Sequence, residues 1–336
     1  MIKLTSTNSM ELPNLNMYRD NFIKEGINLP LPTVPSCQDG ILSKLPSSDN
    51  SKLGWPWTEE SKVLSFNSDK QISWPKLSIV MPSYNQGNYI EETIRSVLLQ
   101  NYPNLEFIVC DGGSNDETLE VLDKYSQWFS FCQSKKDRGQ GHAINIGFSL
   151  ASGDYFGWIN SDDFYTPNCF YKIAQKFLEI NCDFIYGDAL NLNNLNSNIN
   201  YWSAPWVIDR YLRFGGIIAT HAAFWKSCVH KPIWEILNCN IDGELWFRLL
   251  PNISKYHLSE PLGVARYHLE SKTARANTDY QNLWEEDGTN IGKAHHLSPP
   301  SKLLRYEFKI VQYLYKLINQ NQTVASKNYY PNQDWE

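Results

Sequence analysis

The sequence has 336 residues, of which 42% are hydrophobic and 20% are charged, and its formal net charge is −6. This composition supplies enough apolar side chains for a sizeable core and excludes a wholly disordered chain. The acidic balance excludes a protein held on nucleic acid by its overall electrostatic field, so we expect no nucleic-acid partner.

The first 74 residues differ from the rest of the chain. They are rich in Pro, Ser, Asn and Leu and lack a sustained periodicity, which predicts an irregular N-terminal arm over 1–74. Its cluster Gly54-Trp55-Pro56-Trp57 is expected to anchor the arm on the main domain.

From Leu77 onward, short apolar runs alternate with amphipathic segments. Helices are predicted after Asn88 and after Ser114, each with Glu three residues later as a capping box. Such alternation predicts an α/β fold whose mainly parallel central sheet is covered by helices on both faces, with ligand sites after the strand ends. Strands are expected at 77–81, 105–110, 155–159 and 184–186, and further helices at 140–151 and 167–179.

Two segments near the end of the chain have a distinct character. Residues 191–200 are Asn-rich and predict a β-ribbon or an exposed loop, and 276–336 predict a helical extension with a loose tail. Within the extension, 302–318 form a basic amphipathic helix. This helix either closes the core of the main domain, packs on a second subunit in a homodimer, or lies on an anionic membrane surface.

The cysteines and the N-terminus predict a reduced, cytoplasmic protein. The seven cysteines form no C-x-x-C pair, which argues against a disulfide framework and a zinc knuckle. The N-terminal segment lacks the apolar stretch of a secretory signal, and no run approaches the roughly 18 apolar residues of a membrane-spanning helix.

Polar side chains follow the predicted strands. Asp111 begins a Gly-Gly turn that could present free N–H groups to a ligand or could be an ordinary strand-to-helix turn. Asn160, Asp162 and Asp163 directly follow the third strand, and their oxygens suit Mg²⁺ or Mn²⁺. The alternative for these residues is an acidic helix cap.

Three later features could add charge to the same site. Arg138 could bind a phosphate. Asp242 could act as a general base, with a helix-N-terminal acid as the alternative. His268 and Lys272 lie in a cationic stretch that suits a diphosphate or a metal, although a solvated surface would have the same composition.

Taken in order, these motifs resemble family 2 glycosyltransferases of the GT-A fold over residues 75–275. The similar segments are Leu77 to Gln86, Asp111 to Asp116, Asp137 to Gln140, Gly153-Asp154 and Trp158 to Asp163. The resemblance implies transfer of a sugar from a nucleotide diphosphate donor to an acceptor hydroxyl, with inversion at the anomeric carbon and with Mn²⁺ or Mg²⁺ as cofactor.

The resemblance also implies roles for individual residues. Pro82, Tyr84 and Asp111 would bind the nucleoside, Arg138 would lie near the diphosphate, and Asp163 would face the donor sugar. Asp162 would bind the metal, with His268 completing that site and Asn160 standing where the family has the first Asp of its D-x-D motif. Asp242 would be the catalytic base. Ile241 replaces an acidic residue that often precedes the base, so Glu244 is the alternative. The full predicted substrate-binding set is Pro82, Tyr84, Asp111, Arg138, Asp163, Glu244 and Lys272.

The Q-x-x-R-W signature of processive synthases is absent from the sequence, so we expect a non-processive enzyme of cell-surface polysaccharide or glycoconjugate synthesis. Its partners would be a donor, expected to be UDP-linked, and a sugar or lipid-linked acceptor. The competing hypotheses are a nucleotide-sugar-binding module with weak catalysis and a partner-binding protein. The intact Asp162 and Asp242 argue against the first, and the second leaves four acidic loops at one sheet edge without a purpose.

Overall fold

The computed structural model describes residues 11–49, 51–64, 73–195, 198–276 and 280–320. The loose tail predicted after residue 320 lies outside these residues. The helices are α1 (Leu15–Lys24), α2 (Ile90–Leu98), α3 (Thr118–Lys124), α4 (Gln140–Leu150), α5 (Cys169–Glu179), α6 (Ile241–Leu249), α7 (Gln281–Ala294) and α8 (Lys302–Gln320). The strands are β1 (Leu77–Ser83), β2 (Leu105–Asp111), β3 (Phe131–Ser134), β4 (Tyr155–Trp158), β5 (Phe164–Tyr165), β6 (Phe184–Asn193), β7 (Asn198–Trp202), β8 (Ala223–Lys226) and β9 (Lys255–Tyr267).

The strands form one sheet in the order β3-β2-β1-β4-β8-β6-β9-β5, and β7 pairs with β6. Strands β1 to β4 run parallel, as does the long β6–β9 pair. The predicted α/β class with a mainly parallel sheet is therefore confirmed. The sequence patterns missed β3 and the long β9. They also missed the antiparallel β8 and β5, which are short and follow turns rather than crossover helices. The β6–β7 pair confirms the β-ribbon near 191–200.

Alternate residues of the buried strands pack into two layers, one on each face of the sheet. Ile79 and Met81 of β1 pack with α2 and α5, whereas Val80 packs with α4 and α6. Gly147 lets α4 contact β1 directly, because a Cβ at this position would lie 2.3 Å from Val80 Cγ1. This close packing places the first residue of α4, Gln140, beside the end of the sheet.

The two predicted capping boxes are wrong. Helix α2 begins after Tyr89 and helix α3 after Glu117, and neither residue makes a side-chain capping bond. The Ser114 hydroxyl is engaged elsewhere, because it donates to Asp111 Oδ1 at 2.5 Å and accepts from the Asn85 amide at 2.7 Å. The Ser114 hydroxyl thus binds residues at the sheet edge instead of capping α3.

The N-terminal arm contacts the main domain through its aromatic cluster. Trp55 is 2% exposed, and its indole N–H donates to the carbonyl of Tyr165 at 2.8 Å. Arg95, buried in α2, donates to the carbonyls of Pro56 and Trp57, each at 2.9 Å. Helix α1 of the same arm packs on α4.

Helix α8 docks on the domain with one face only. Leu304, Phe308 and Val311 pack against the core layer that contains Val80, and Tyr315 is buried there. No helix within the described ranges is long and apolar enough to cross a membrane. All seven cysteines are free, as the sequence analysis expected.

Candidate functional site

The ends of β1, β2 and β4 bring the polar motifs to one edge of the sheet. Ser83 and Asp111 are register partners at the ends of β1 and β2, and β4 leads directly into the Asn160–Asp163 turn. The hydroxyl of Thr93 in α2 donates to the carbonyls of Ser161 and Asp163, at 3.0 and 2.5 Å. The turn is therefore held between the sheet and α2.

The Asp111 carboxylate is buried and fully hydrogen-bonded. It accepts from the amides of Gly113 and Ser114, from the Ser114 hydroxyl and from the Ser134 hydroxyl, at 2.5 to 3.1 Å. The carboxylate therefore fixes the turn after β2. Nearby, Pro82 is buried within β1, while the Tyr84 side chain is 61% exposed and accessible to a ligand.

Asp162 pairs with a histidine that lies 106 residues further along the chain. Its Oδ2 is 3.1 Å from His268 Nε2, and the Asp162 side chain keeps 19% of its surface exposed. His268 Nδ1 is buried and has no partner among the described residues, and its ring lies against Tyr89 at 4.4 Å. The structure thus joins two of the three predicted metal ligands.

Asn160, the third predicted ligand, is engaged by other groups. Its Oδ1 accepts from Gln140 Nε2 at 2.8 Å and from the Trp158 indole at 3.0 Å. Both lone pairs of this oxygen are therefore in use, and the structure does not present Asn160 to a metal ion.

Asp163 points inward. It is 6% exposed, accepts from the Arg266 amide at 3.1 Å and lies 3.7 Å from His221 Nδ1. Burial, together with the charge of Asp162, raises its pKa well above the usual carboxyl value. Burial also lowers the pKa of His221 to about 4, so this imidazole is neutral at pH 7. The structure places Asp163 beneath the site rather than on its open side.

Lys272 connects the start of α4 with the loop before α6. Its ammonium donates to Gln140 Oε1 at 2.7 Å and to the Asn238 carbonyl at 2.5 Å. Burial lowers its pKa, and the nearby charges of Asp162 and Asp242 oppose that shift. A single cation therefore lies within electrostatic reach of both the predicted metal ligand and the predicted base.

Asp242 lies in the first turn of α6 and is partly buried. Desolvation raises the pKa of its carboxyl, and the neighbouring Lys272 charge acts in the opposite direction. Glu244, the alternative base, is only 1% exposed and pairs with Arg248 and with His295, the latter at 3.1 Å. The structure therefore leaves Asp242 partly exposed within electrostatic reach of Lys272, and binds Glu244 into the core.

A buried carboxylate that the sequence analysis missed holds the loop before α6. Asp287 of α7 is fully buried, and its carboxylate accepts the backbone N–H groups of Asn238, Cys239 and Asn240 at 2.7 to 3.1 Å. This fixes the carbonyl that binds Lys272 and the turn that precedes Asp242. In the sequence Asp287 is part of an acidic run, which gives no sign of burial.

Arg138 is not directed at this cluster. Its guanidinium binds Glu235 at 2.5 Å and the Tyr18 hydroxyl at 2.7 Å, so it ties the N-terminal arm to the segment before α6. The sequence analysis did not single out Tyr18 or Glu235, because their link to Arg138 spans roughly a hundred residues of chain.

The donor set at Asp162 suits a divalent ion that shares its ligands with substrate. Within the described ranges, no cluster of three or more His, Cys, Asp or Glu side chains could hold a metal on its own. The 3.1 Å between Asp162 Oδ2 and His268 Nε2 is close to the separation of about 3 Å between adjacent ligands in octahedral coordination. Mg²⁺-type ions bound by one or two protein groups complete their shell with water and phosphate oxygens.

The fold is of the GT-A class of glycosyltransferases: a mainly parallel central sheet is covered by helices, and the polar cluster lies at the ends of its parallel strands. The fold of S. aureus TarS 1-349 in complex with UDP-GlcNAc is similar, with a TM-score of 0.52 and 19% identity over 66% of this chain and 71% of that one.

Sequence comparison identifies the family. The profile described as Glycosyl transferase family 2 matches residues 78–225. An uncharacterized glycosyltransferase of Rickettsia typhi is 30% identical over 225 residues, which cover 62% of this chain and 70% of the relative. The Escherichia coli UDP-Glc:alpha-D-GlcNAc-diphosphoundecaprenol beta-1,3-glucosyltransferase WfgD is 35% identical over 204 residues, 60% of this chain and 80% of the relative. The chain belongs to glycosyltransferase family 2.

Proposed function

We propose that the protein transfers a single sugar from a UDP-sugar to an acceptor hydroxyl, with inversion and with a divalent metal ion. The observation that carries the proposal is the placement of three groups: the Asp162–His268 pair, the Lys272 cation, and the partly buried Asp242, whose charge Lys272 senses. These supply a place for a metal-bound diphosphate, a positive charge beside it and a proton acceptor.

In the proposed reaction, Asp242 accepts the proton of the acceptor hydroxyl as that oxygen forms a bond to the anomeric carbon. The bond from this carbon to the diphosphate oxygen breaks with its electron pair, and UDP leaves. One displacement with one base inverts the anomeric centre. A divalent ion on Asp162 and His268 would neutralise charge that develops on the phosphate oxygens. The Lys272 ammonium, which lies on the side of Asp242, stabilises the same negative charge.

The remaining groups at the edge act as supports in this proposal. Asn160 orients Gln140, which in turn holds the Lys272 ammonium. Asp287 holds the loop that leads into Asp242, so we propose that the catalytic unit extends beyond residue 275 into α7. Tyr84, which is exposed beside the Asp111 turn, is the proposed contact for the nucleoside.

The relative WfgD, by its name, uses UDP-glucose and a diphosphoundecaprenol-linked acceptor. We propose the same chemical classes for this chain, a UDP-linked hexose and a lipid-diphosphate-linked sugar, in cell-surface polysaccharide synthesis. The 35% identity supports the class of donor and acceptor, and the assay below identifies the individual sugars.

The test is release of nucleoside diphosphate from UDP- and GDP-sugars, with water or added glycans as acceptor, in Mn²⁺ and in EDTA. We expect UDP-sugars to be turned over in Mn²⁺ and EDTA to abolish turnover. Binding of UDP-sugars without any release of UDP would indicate a binding module, and equal turnover in EDTA would contradict the metal assignment.

A further inference from the structure

Helix α8 has two apolar faces, and only one of them is covered. Besides the docked side chains, a second set of apolar residues points away from the domain. Each is 40% to 67% exposed: Leu303, Tyr306, Ile310, Tyr313, Leu314 and Leu317. Their spacing of three, four or seven residues places them in one stripe along the helix. Exposed apolar stripes of this length mark interaction surfaces.

The charges on α8 are sorted to one side of this stripe. Since successive residues of a helix are about 100° apart, Lys302, Arg305, Lys309 and Lys316 form a row between the exposed stripe and the far edge of the docked face. None of the four has an ion-pair partner in the part of the chain that the structure describes. The sole acid of the helix, Glu307, lies on the opposite edge, where it accepts from Tyr211 and pairs with Arg210, both at 3.3 Å.

The docked face holds the helix in place without help from the exposed stripe. Phe308 stacks on Phe214 at 4.3 Å, the Tyr315 hydroxyl donates to the Trp206 carbonyl at 2.5 Å, and Asn319 accepts from the Ser203 amide at 2.7 Å. The helix is therefore held in place by its docked face, and the side chains of the exposed stripe are available to contact a partner.

We infer that α8 is a docking surface for an anionic lipid bilayer. A row of unpaired cations beside an apolar stripe suits a helix that lies in the membrane interface, with its apolar side chains among the acyl chains and its lysines at the phosphates. A second copy packed antiparallel on this stripe would fit less well, because the two cationic rows would then lie side by side and repel each other. The inference does not rest on the proposed function, since binding to lipid requires neither donor nor acceptor.

The test is flotation of the full-length protein with phosphatidylcholine vesicles that contain or lack phosphatidylglycerol. We expect binding to the anionic vesicles at low salt, less binding at high salt and little to the neutral ones. The double variant Lys309→Glu/Lys316→Glu should weaken binding at least ~10-fold, because each basic residue near an anionic surface contributes about 1 kcal/mol.

Two controls separate a local effect from a global one. Lys24→Glu/Lys293→Glu changes the net charge equally on exposed positions of α1 and α7 and should leave binding unchanged. Ile310→Ser/Leu317→Ser should abolish binding, whereas Leu178→Ser, at an exposed position of α5, should not. A full-length protein that ignores anionic vesicles at low salt would overturn the inference. A dimer in solution that Ile310→Ser/Leu317→Ser dissociates, without vesicle binding, would assign the stripe to a second copy.

Discussion

Asp242→Asn should leave the protein folded and its UDP affinity unchanged, yet lower sugar transfer by at least ~10²-fold, the usual scale for loss of a positioned general base. The amide keeps the shape of the side chain in the first turn of α6 but cannot accept the proton. Single-turnover transfer and UDP binding, measured on the same preparation, separate the two effects. An active Asp242→Asn enzyme would remove Asp242 from the reaction.

Glu244→Gln is the matched control, because it makes the same chemical change two residues away. Glu244 is buried against Arg248 and His295, so loss of its charge leaves Arg248 without its carboxylate partner. Breaking a buried pair in this way costs about 3 kcal/mol of folding stability. We therefore expect Glu244→Gln to lower the free energy of unfolding, while the folded fraction retains transfer. The reverse pattern would make Glu244 the base.

The raised pKa of Asp242 sets the acid limb of the pH profile. The base must be ionised to act, so kcat/KM falls as the pH drops through a pKa that burial holds above that of an ordinary Asp. Lys272 lowers that pKa, and its replacement in Lys272→Met should shift the acid limb to higher pH. An acid limb that does not move in Lys272→Met would show that another group titrates.

Asp162→Asn should abolish the part of UDP binding that depends on Mn²⁺ and lower kcat/KM by at least ~10²-fold, because a metal ion supplies several kcal/mol of charge stabilisation. Thermal denaturation reports the binding, since a ligand of the native state raises its apparent stability. We expect the wild type to gain more stability from UDP with Mn²⁺ than with EDTA, and Asp162→Asn to show no difference.

His268→Gln should behave like Asp162→Asn, because the two side chains face each other at 3.1 Å. The control is Asp123→Asn, the same change at an exposed position of α3, which should keep the metal-dependent increment. Loss of the increment in His268→Gln but not in Asp162→Asn would mean that the metal is held without the carboxylate.

The sheet edge was predictable because its signal is local. The apolar runs of β1, β2 and β4 are each followed at once by polar residues, and parallel strands bring such ends together. The same reasoning singled out Asp162 and Asp242 as candidates, from their positions beside strand and helix ends. The start of α3 was predicted from the spacing of Ser114 and Glu117 alone. In the structure the Ser114 hydroxyl binds Asp111 instead of capping the helix.

Local patterns could not give the pairing within the site, because the decisive contacts join distant segments; only the family resemblance implied that His268 joins Asp162. His268 reaches Asp162 across 106 residues, and Asp287 reaches the loop before α6 across 47 to 49. Arg138 was expected near a diphosphate from its charge and from the family resemblance, yet Glu235 and Tyr18 bind it. The residue type determines which groups a side chain can bind, and the fold determines which of those groups lies within bonding distance.

The most direct test of the proposed site is the anomalous scattering of Mn²⁺ in crystals grown with UDP. The proposed function predicts the strongest peak within about 2.2 Å of both Asp162 Oδ2 and His268 Nε2, next to the UDP diphosphate. A UDP molecule bound without a peak at this pair, or a Mn²⁺ peak held by other side chains, would contradict the account.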